Sequence, residues 1–533
     1  MKNTRFLFSA LIICLLTGAT NLIAQPLVYP LELGQRQQIE QKLLAAGELH
    51  SVWPYTGTMA SDTLLYADIK PLPGKFSASW VGRKLLSESL IRVSEKQFTL
   101  SLDPLANFSV GNQPDASRGT WVNTRGFRAQ GNIGSKFSYY TAFYESQAVF
   151  ATWTDSITRA LAVVPGQAFI KNFKNKGFDY AFSEGHITWQ PSDWFTFRFG
   201  HGKNFFGDGY RSLLLSDAAF NNPYLMIRTK IWHLQYTNLY AQFQDLRKPA
   251  GADSWTPWLK KYATIHHLSW NVNRWFNISV YEAIVWKAAD STGQRGFDVN
   301  YLNPVIFYRP VEFSLSSPDN ALLGGSMRFT IRRSIMLYAQ LMLDEFSLEH
   351  VRSGDGWWAN KHGFQLGAKA YNAFRVNNLT LQAEYNHVRP YTYAHYEPLQ
   401  NYAHYNQPLA HPQGANFREL DLLASYRLGR WLFSYKMVAC TYGADTAGLN
   451  YGRNVYKPYS TYVNEFGNKI GQGLKTNLLM HEIKAGWLVN PATNLQLNAG
   501  VTLRSESSTR CDFKGSEIWI GLRSALFNTY YDF

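Results

Sequence analysis

Residues 198 to 217, RFGHGKNFFGDGYRSLLLSD, bring Gly200, Gly202, Gly207 and Gly209 together and thread His201, Lys203, Asp208 and Arg211 among them. Glycines beside a lysine suggest a phosphate cradle. A P-loop, however, needs Gly-x-x-x-x-Gly-Lys-Ser/Thr, and here Asn204 follows Lys203. The dinucleotide fingerprint fails too, because the place of its third glycine is taken by Phe205. What remains is glycine's use in a tight turn or a close backbone approach, after the strand-like WFTFRF. Asp208 and Arg211 are spaced to pair across such a turn. Gly207, Asp208, Gly209, Tyr210 and Arg211 therefore read as architecture rather than catalysis.

A second chemistry-bearing stretch is HVRPYTYAHYEPLQNYAHYNQPLAHPQGANF, with His387, His395, His404 and His411. No His-Glu-x-x-His helix occurs in the chain, and these spacings match no standard zinc pattern, so neither a metal nor another cofactor is expected. Tyr391, Tyr393, Tyr396, Tyr402 and Tyr405 alternate with Arg389, His395 and His404. Flat aromatic faces stack on the C–H faces of sugar rings while guanidinium and imidazole groups meet hydroxyls or carboxylates. Arg389, Tyr391, Tyr393, His395 and His404 are thus candidate polysaccharide contacts, and Arg309 and Glu312, beside Tyr308 and Pro310, join them. Glu312 and Asp319 also pose a glycoside-hydrolase question, but sequence spacing does not set two carboxylates across a scissile bond. No Gly-x-Ser-x-Gly nucleophile elbow is present. The chain is expected not to be an enzyme.

The elements that must position these residues begin with an export signal. Lys2 and Arg5 precede the apolar core FLFSALIICLL, too short for a membrane span, and small residues run to a cleavage point after Ala24. Cys14 lies inside that core, with Ile13 where lipoprotein processing wants a small residue, so lipidation is not expected. Loss of Lys2 and Arg5 takes the formal charge from +14 to +12, which favours acidic polysaccharide or lipid phosphate as partner; export argues against nucleic acid. Cys440 and Cys511 are too few to staple such a chain and are expected to stay unpaired.

After the signal, LGQRQQIEQKLLAAGELH places Ile39, Leu43, Leu44 and Ala46 on one helical face with Gly47 as a stop, and WVGRKLLSESLI suggests a second helix after PLPGK. From about Gln97 the period becomes two. In NLTLQAEYN, Leu379, Leu381, Ala383 and Tyr385 face one way and Thr380, Gln382, Glu384 and Asn386 the other. With 16% aromatic and 17% charged residues, this suits a transmembrane barrel with a greasy outside and a wet inside, although a soluble sandwich also alternates. Steps of two back from Phe533 meet Tyr531, Thr529, Phe527 and Ala525, the pattern of a terminal barrel strand. The expected fold is all-β, a transmembrane antiparallel barrel of about 16–18 strands with short N-terminal periplasmic helices. Its expected parts are a signal peptide over 1–24, an N-terminal periplasmic segment over 25–95 and the barrel over 96–533.

The segments NTRGFRAQGNIG, VVPGQAFIKNF, FGHGKNFFGDGYRSLLLSD, YLNPVIFYRPVEF, SSPDNALLGG and the tyrosine-rich stretch above resemble, in order and wording, the RemB-like gliding-motility outer-membrane proteins. These are related more loosely to the Wzi-like capsule-assembly barrels. The resemblance runs from about Leu49 to about Asn416. It implies an outer-membrane barrel of about 18 strands in a Gram-negative bacterium. It further implies binding of surface or capsular polysaccharide, a role in gliding or capsule assembly, and gliding or secretion machinery among its partners. The alternative is a porin-like diffusion channel for anionic solutes.

Overall fold

In the computed structural model the two-residue rhythm closes into a cylinder. Residues 27–533 are described except 30, 58–65, 67–68, 70–71, 249–250, 252, 254, 291–292, 305–318 and 525. The expected signal peptide, with Cys14, lies outside the described residues. The wall is made of β1 (Phe98–Gln113), β2 (Arg118–Ile133), β3 (Phe137–Val149), β4 (Gly177–Trp189), β5 (Phe195–Gly202) and β6 (Asn222–Ile231). It continues through β7 (Leu234–Asp245), β8 (Leu259–Asn271), β9 (Phe276–Lys287), β10 (Asn320–Ile331), β11 (Ile335–Glu345) and β12 (Lys361–Tyr371). The last third is β13 (Leu379–Val388), β14 (Phe417–Leu428), β15 (Trp431–Ala444), β16 (Leu474–Asn490), β17 (Leu495–Ser508) and β18 (Asp512–Arg523). These 18 strands pair antiparallel in chain order, and β18 returns to β1 from Ile518 opposite Asn112 to Arg523 opposite Asn107. Closure removes the open sheet edges that would otherwise invite aggregation.

The wall inverts the burial of a water-soluble protein. Ile518, Ile520, Val110, Leu366 and Ile483 point outward and exposed, whereas Gln365, Lys369, Gln382, Glu384 and Asn386 are buried inside. The alternation read over 379–386 therefore holds, with Gln382, Glu384 and Asn386 on the lumen side. A sandwich would hide its apolar face between sheets, so this inversion fits a wall in lipid and not a soluble sandwich. No helix among the described residues is long and apolar enough to cross a membrane, so any crossing falls to the strands.

The two ends differ. One carries tight connections, such as 134–136, 232–233, 332–334 and 429–430; the other carries long ones, including 150–176, 203–221, 389–416 and 445–473. Outside the short-turn end runs an aromatic belt. Phe137 stacks on Trp189 at 6.1 Å, Trp189 on Phe197 at 5.3 Å and Phe276 on Phe329 at 4.6 Å. Such belts sit at the boundary between hydrocarbon and headgroups.

The lumen is filled. Helix α1 (Leu33–Ala46) begins with the Glu32 side chain accepting from Gln35 N at 2.9 Å and ends at Gly47 in the left-handed region. It buries Ile39, Leu43 and Leu44, but also Arg36, Gln37 and Glu40, with Lys369 of β12 on the Glu40 carboxylate at 3.0 Å. The sequence places this helix outside the membrane; it lies instead inside the barrel, because the lumen wall supplies partners for its polar face. Two shorter helices, α2 (Lys75–Ala78) and α3 (Trp80–Leu86), follow at the short-turn rim, and Ile91–Ser94 joins the wall by pairing with β1.

The C-terminal expectation is also corrected. The last strand ends at Arg523, and the tail beyond it folds into the barrel. Phe527 packs edge-on against Tyr144 and Phe182, Tyr530 is buried, and Tyr531 meets Phe150. Ala525 lies outside the described residues. Cys440 is buried and Cys511 exposed, and both are free.

Candidate functional site

The glycine-rich stretch descends from the long-loop side into the lumen and meets the N-terminal segment there. Asp208 does not pair with Arg211, contrary to the sequence reading. It takes Arg328 of β10 at 3.0 Å and accepts from the Ser51 hydroxyl. Burial pushes the Asp208 pKa up, but Arg328 and Ser51 outweigh it and hold it below the ordinary value. Arg36 donates to the carbonyls of Gly207 and Gly209 at 3.0 and 3.1 Å. Arg211 reaches Glu419 at 3.1 Å and Asp532 of the tail at 2.9 Å, and Tyr210 OH adds a second bond to Asp532. Burial alone would raise the Asp532 pKa, yet Arg211 and Lys436 hold it well below the carboxylate range.

Both central glycines are required. Gly207 has φ of +145°, and a Cβ there would overlap the Gln340 amide. At Gly209 a Cβ would overlap the Glu384 carboxylate, which accepts from Tyr210 N at 2.7 Å and Arg211 N at 3.0 Å. The motif clamps the N-terminal segment, several strands of the wall and the tail together and offers no open nucleophile.

The sequence-predicted sugar contacts lie in the same plug. Arg389 donates to the carbonyls of Asn360 and Trp357 at 2.8 and 3.1 Å, bracing a neighbouring loop. Tyr391 and Tyr393 are buried, with hydroxyls on Asn450 O at 2.9 Å and Leu213 O at 2.8 Å. His404 accepts from Gln244 N at 2.9 Å while its other ring nitrogen faces Asn221 O at 3.1 Å. His395 accepts from Glu397 N at 3.3 Å. Burial pushes both imidazoles down to about 4. These five side chains, Arg389 half-buried and the others buried, make contacts within the plug. Arg309 and Glu312 lie outside the described residues. Asp319 is buried, with Arg295 at 2.8 Å and the Tyr301 hydroxyl at 2.7 Å, so it is a structural carboxylate. Among the described residues no three His, Cys, Asp or Glu side chains are placed to hold a metal ion.

The open chemistry sits higher, where the long loops meet in a cavity of about 740 Å³. One wall is helix α4 (Thr152–Leu161), fixed to β2 by Arg118 on Asp155 at 2.7 Å, which turns Trp153 and Ile157 toward the space. Loop 406–414 makes a second wall, loop 445–457 a third, and Tyr442, Arg504, Glu506 and Phe513 of the barrel a fourth, with Phe533 of the tail among them. The Arg453 guanidinium lies over the Tyr442 ring at 3.7 Å and donates to Gln413 at 2.7 Å. Arg504 holds Glu506 at 2.6 Å and the Phe533 carbonyl at 3.0 Å. The space has the size of organic-ligand pockets, with aromatic faces beside fixed cations and a few acceptors. Sequence reasoning missed it, although Arg453, Tyr456 and Lys457 in NYGRNVYKPYSTY carry the same interleaving of aromatic and cation that drew attention to 389–405.

No protein-family model matches the chain, and no curated protein sequence does. Among solved structures it is similar to Wzi of Escherichia coli, described as a carbohydrate-binding β-barrel of the outer membrane involved in group 1 capsule assembly. That match has a TM-score of 0.53 at 13% identity and covers 94% of this chain and 100% of Wzi. OprD of Pseudomonas aeruginosa matches with a TM-score of 0.40 at 11% identity, over 80% of this chain and 96% of OprD. OpdK of the same organism matches with a TM-score of 0.43 at 9% identity, over 80% and 99%. At this identity the likeness to Wzi shows the barrel fold.

Proposed function

We propose that this protein is a plugged, non-enzymatic barrel of the outer membrane that holds an acidic surface polysaccharide at its long-loop face, serving capsule assembly or gliding. The short-turn face then looks into the periplasm, as in outer-membrane barrels generally. The observation that carries this reading is the loop-face cavity, where Trp153, Tyr442 and Phe533 lie beside Arg453, Lys457 and Arg504. Sugar rings stack on the first set and carboxylates or sulfates meet the second. A repeating polymer meeting many copies of such a site gains by multivalency. The RemB-like sequence resemblance favours a gliding role and the Wzi-like architecture a capsule role; the cavity serves either.

Binding of the purified protein to an array of acidic and neutral glycans tests this. Arg453→Ala should weaken retention of the acidic glycans by about tenfold or more, the loss expected for an anchoring arginine. Arg453→Lys, which keeps charge but loses the planar stack on Tyr442, should fall between. Equal binding by all three proteins would reject the cavity as the site.

A further inference from the structure

The helices α2 and α3 turn their apolar side chains away from the protein. Phe76 is 59% exposed, Trp80 62%, Val81 50% and Leu85 50%. These helices are nevertheless fixed to the barrel. A Cβ on Gly82 would overlap the Phe76 carbonyl, so α3 packs directly on α2. Asn490, at the short-turn end of β16, donates to the carbonyls of Lys84 and Glu88, each at 3.0 Å, and Leu90 N donates to Asp103 of β1 at 3.0 Å. From there the chain enters the wall at Ile91, itself 46% exposed.

The place where they dock is a gap in the aromatic belt. Strand β17 contains no aromatic residue, and the two in β18 lie elsewhere. Phe513 packs on Trp153 at the long-loop end, and Trp519 lies against Gly500 on the inward face. The belt therefore breaks off between Trp487 of β16 and Phe98 of β1, and α3 bridges from the end of β16 to the edge of β1 across that interval. The hairpin is also cationic, since its Lys75, Arg83 and Lys84 outnumber Glu88, which takes Arg83 at 3.0 Å and Lys84 at 2.9 Å.

We propose that α2 and α3 form an in-plane lipid anchor, which completes the aromatic belt over β17 and β18 by lying in the anionic phospholipid leaflet at the short-turn face. The occupant of the exposed face is lipid because the patch is continuous with the lipid-facing wall through Ile91. Amphipathic helices with aromatic residues on one side and lysine or arginine on the other seat themselves at that depth. The inference rests on the outward wall facing lipid and not on the polysaccharide reading.

Spin labels on the full-length protein test it, in a Cys14→Ser/Cys511→Ser background that leaves only the buried Cys440. Labels at Val81→Cys and Leu85→Cys, in phosphatidylethanolamine–phosphatidylglycerol vesicles, should be open to oxygen and lose their collisions with a water-soluble nickel chelate, as a label at Ile520→Cys on the wall does. Nickel-chelate access equal to that of a label at Lys136→Cys in a short turn would overturn the proposal, including the case in which a protein partner covers this face. Heat-modifiable migration of each variant confirms that the barrel has formed. With the barrel intact, Trp80→Ser should restore chelate access at Leu85→Cys; unchanged protection would show that the aromatic side chain does not seat the hairpin.

Discussion

Glu384 shows at the residue scale why the plug is specific. Its two carboxylate oxygens accept from the main chain of Tyr210 and Arg211 and from the Tyr338 hydroxyl at 2.7 Å. It cannot step aside for a methyl group, so Gly209→Ala should cost about 1–3 kcal/mol as an overpacked, strained contact. Thermal unfolding followed by gel mobility reads that loss, and an unshifted transition would contradict the tight fit. Removing one partner of a buried ion pair strands the other. Asp532→Ala should therefore destabilise the plug by about 3–5 kcal/mol, because it leaves Arg211 and Lys436 with less countercharge. A wild-type melting profile for that variant would place the tail outside the barrel. The motif was legible as architecture in its glycines. Its partners were not, because Asp208 and Arg211 look locally paired while their charges are met by Arg328, Glu419 and Asp532, which only the closed cylinder brings near.

At the scale of elements, strand alternation was the strongest signal and inward folding the weakest. The run 379–386 declares its two faces because every second side chain is polar. The C-terminal residues show a similar period for another reason: Phe527 and Tyr531 alternate to meet Tyr144 and Phe150 inside the lumen, not lipid. Helix α1 hid its destination similarly, since a polar lumen lets Arg36 and Glu40 be buried as fully as Leu43. Loop 389–416 carries a pH response. Its His395 and His404 stay neutral down to about 4, whereas a released loop would protonate them below about 6.5. The folded loop thus has its full stability above about 6.5 and loses it as pH falls toward 4, since the released form then binds more protons. Hydrogen-exchange protection over 389–416, taken relative to the intrinsic rate at each pH, should fall across that interval, and His404→Gln should blunt the change. Protection that does not vary between those pH values would refute the assignment.

For the whole molecule, the lumen decides between a conduit and a holder. Helix α1, the 203–221 loop and the tail meet inside the wall through Arg36, Asp208, Arg211 and Asp532, Ser216 ties the 389–416 loop to them by donating to the Ala410 carbonyl, and Arg453, Lys457 and Arg504 line the loop-face cavity above. Binding there should weaken as salt screens the cations, with the steepest loss for the most acidic polymers. The site itself was only partly legible. Aromatic residues mixed with cations pointed to the right side-chain types, but two such stretches were in view, and only the fold shows that Arg453, Tyr456 and Lys457 line the cavity while Tyr391, Tyr393, His395 and His404 are buried in the plug. The most direct test of a filled barrel that binds rather than transports is single-molecule conductance in a planar bilayer. Wild-type protein should insert without steady current, and a variant lacking 526–533 should flicker open. Stable, porin-like steps from the intact protein would contradict it.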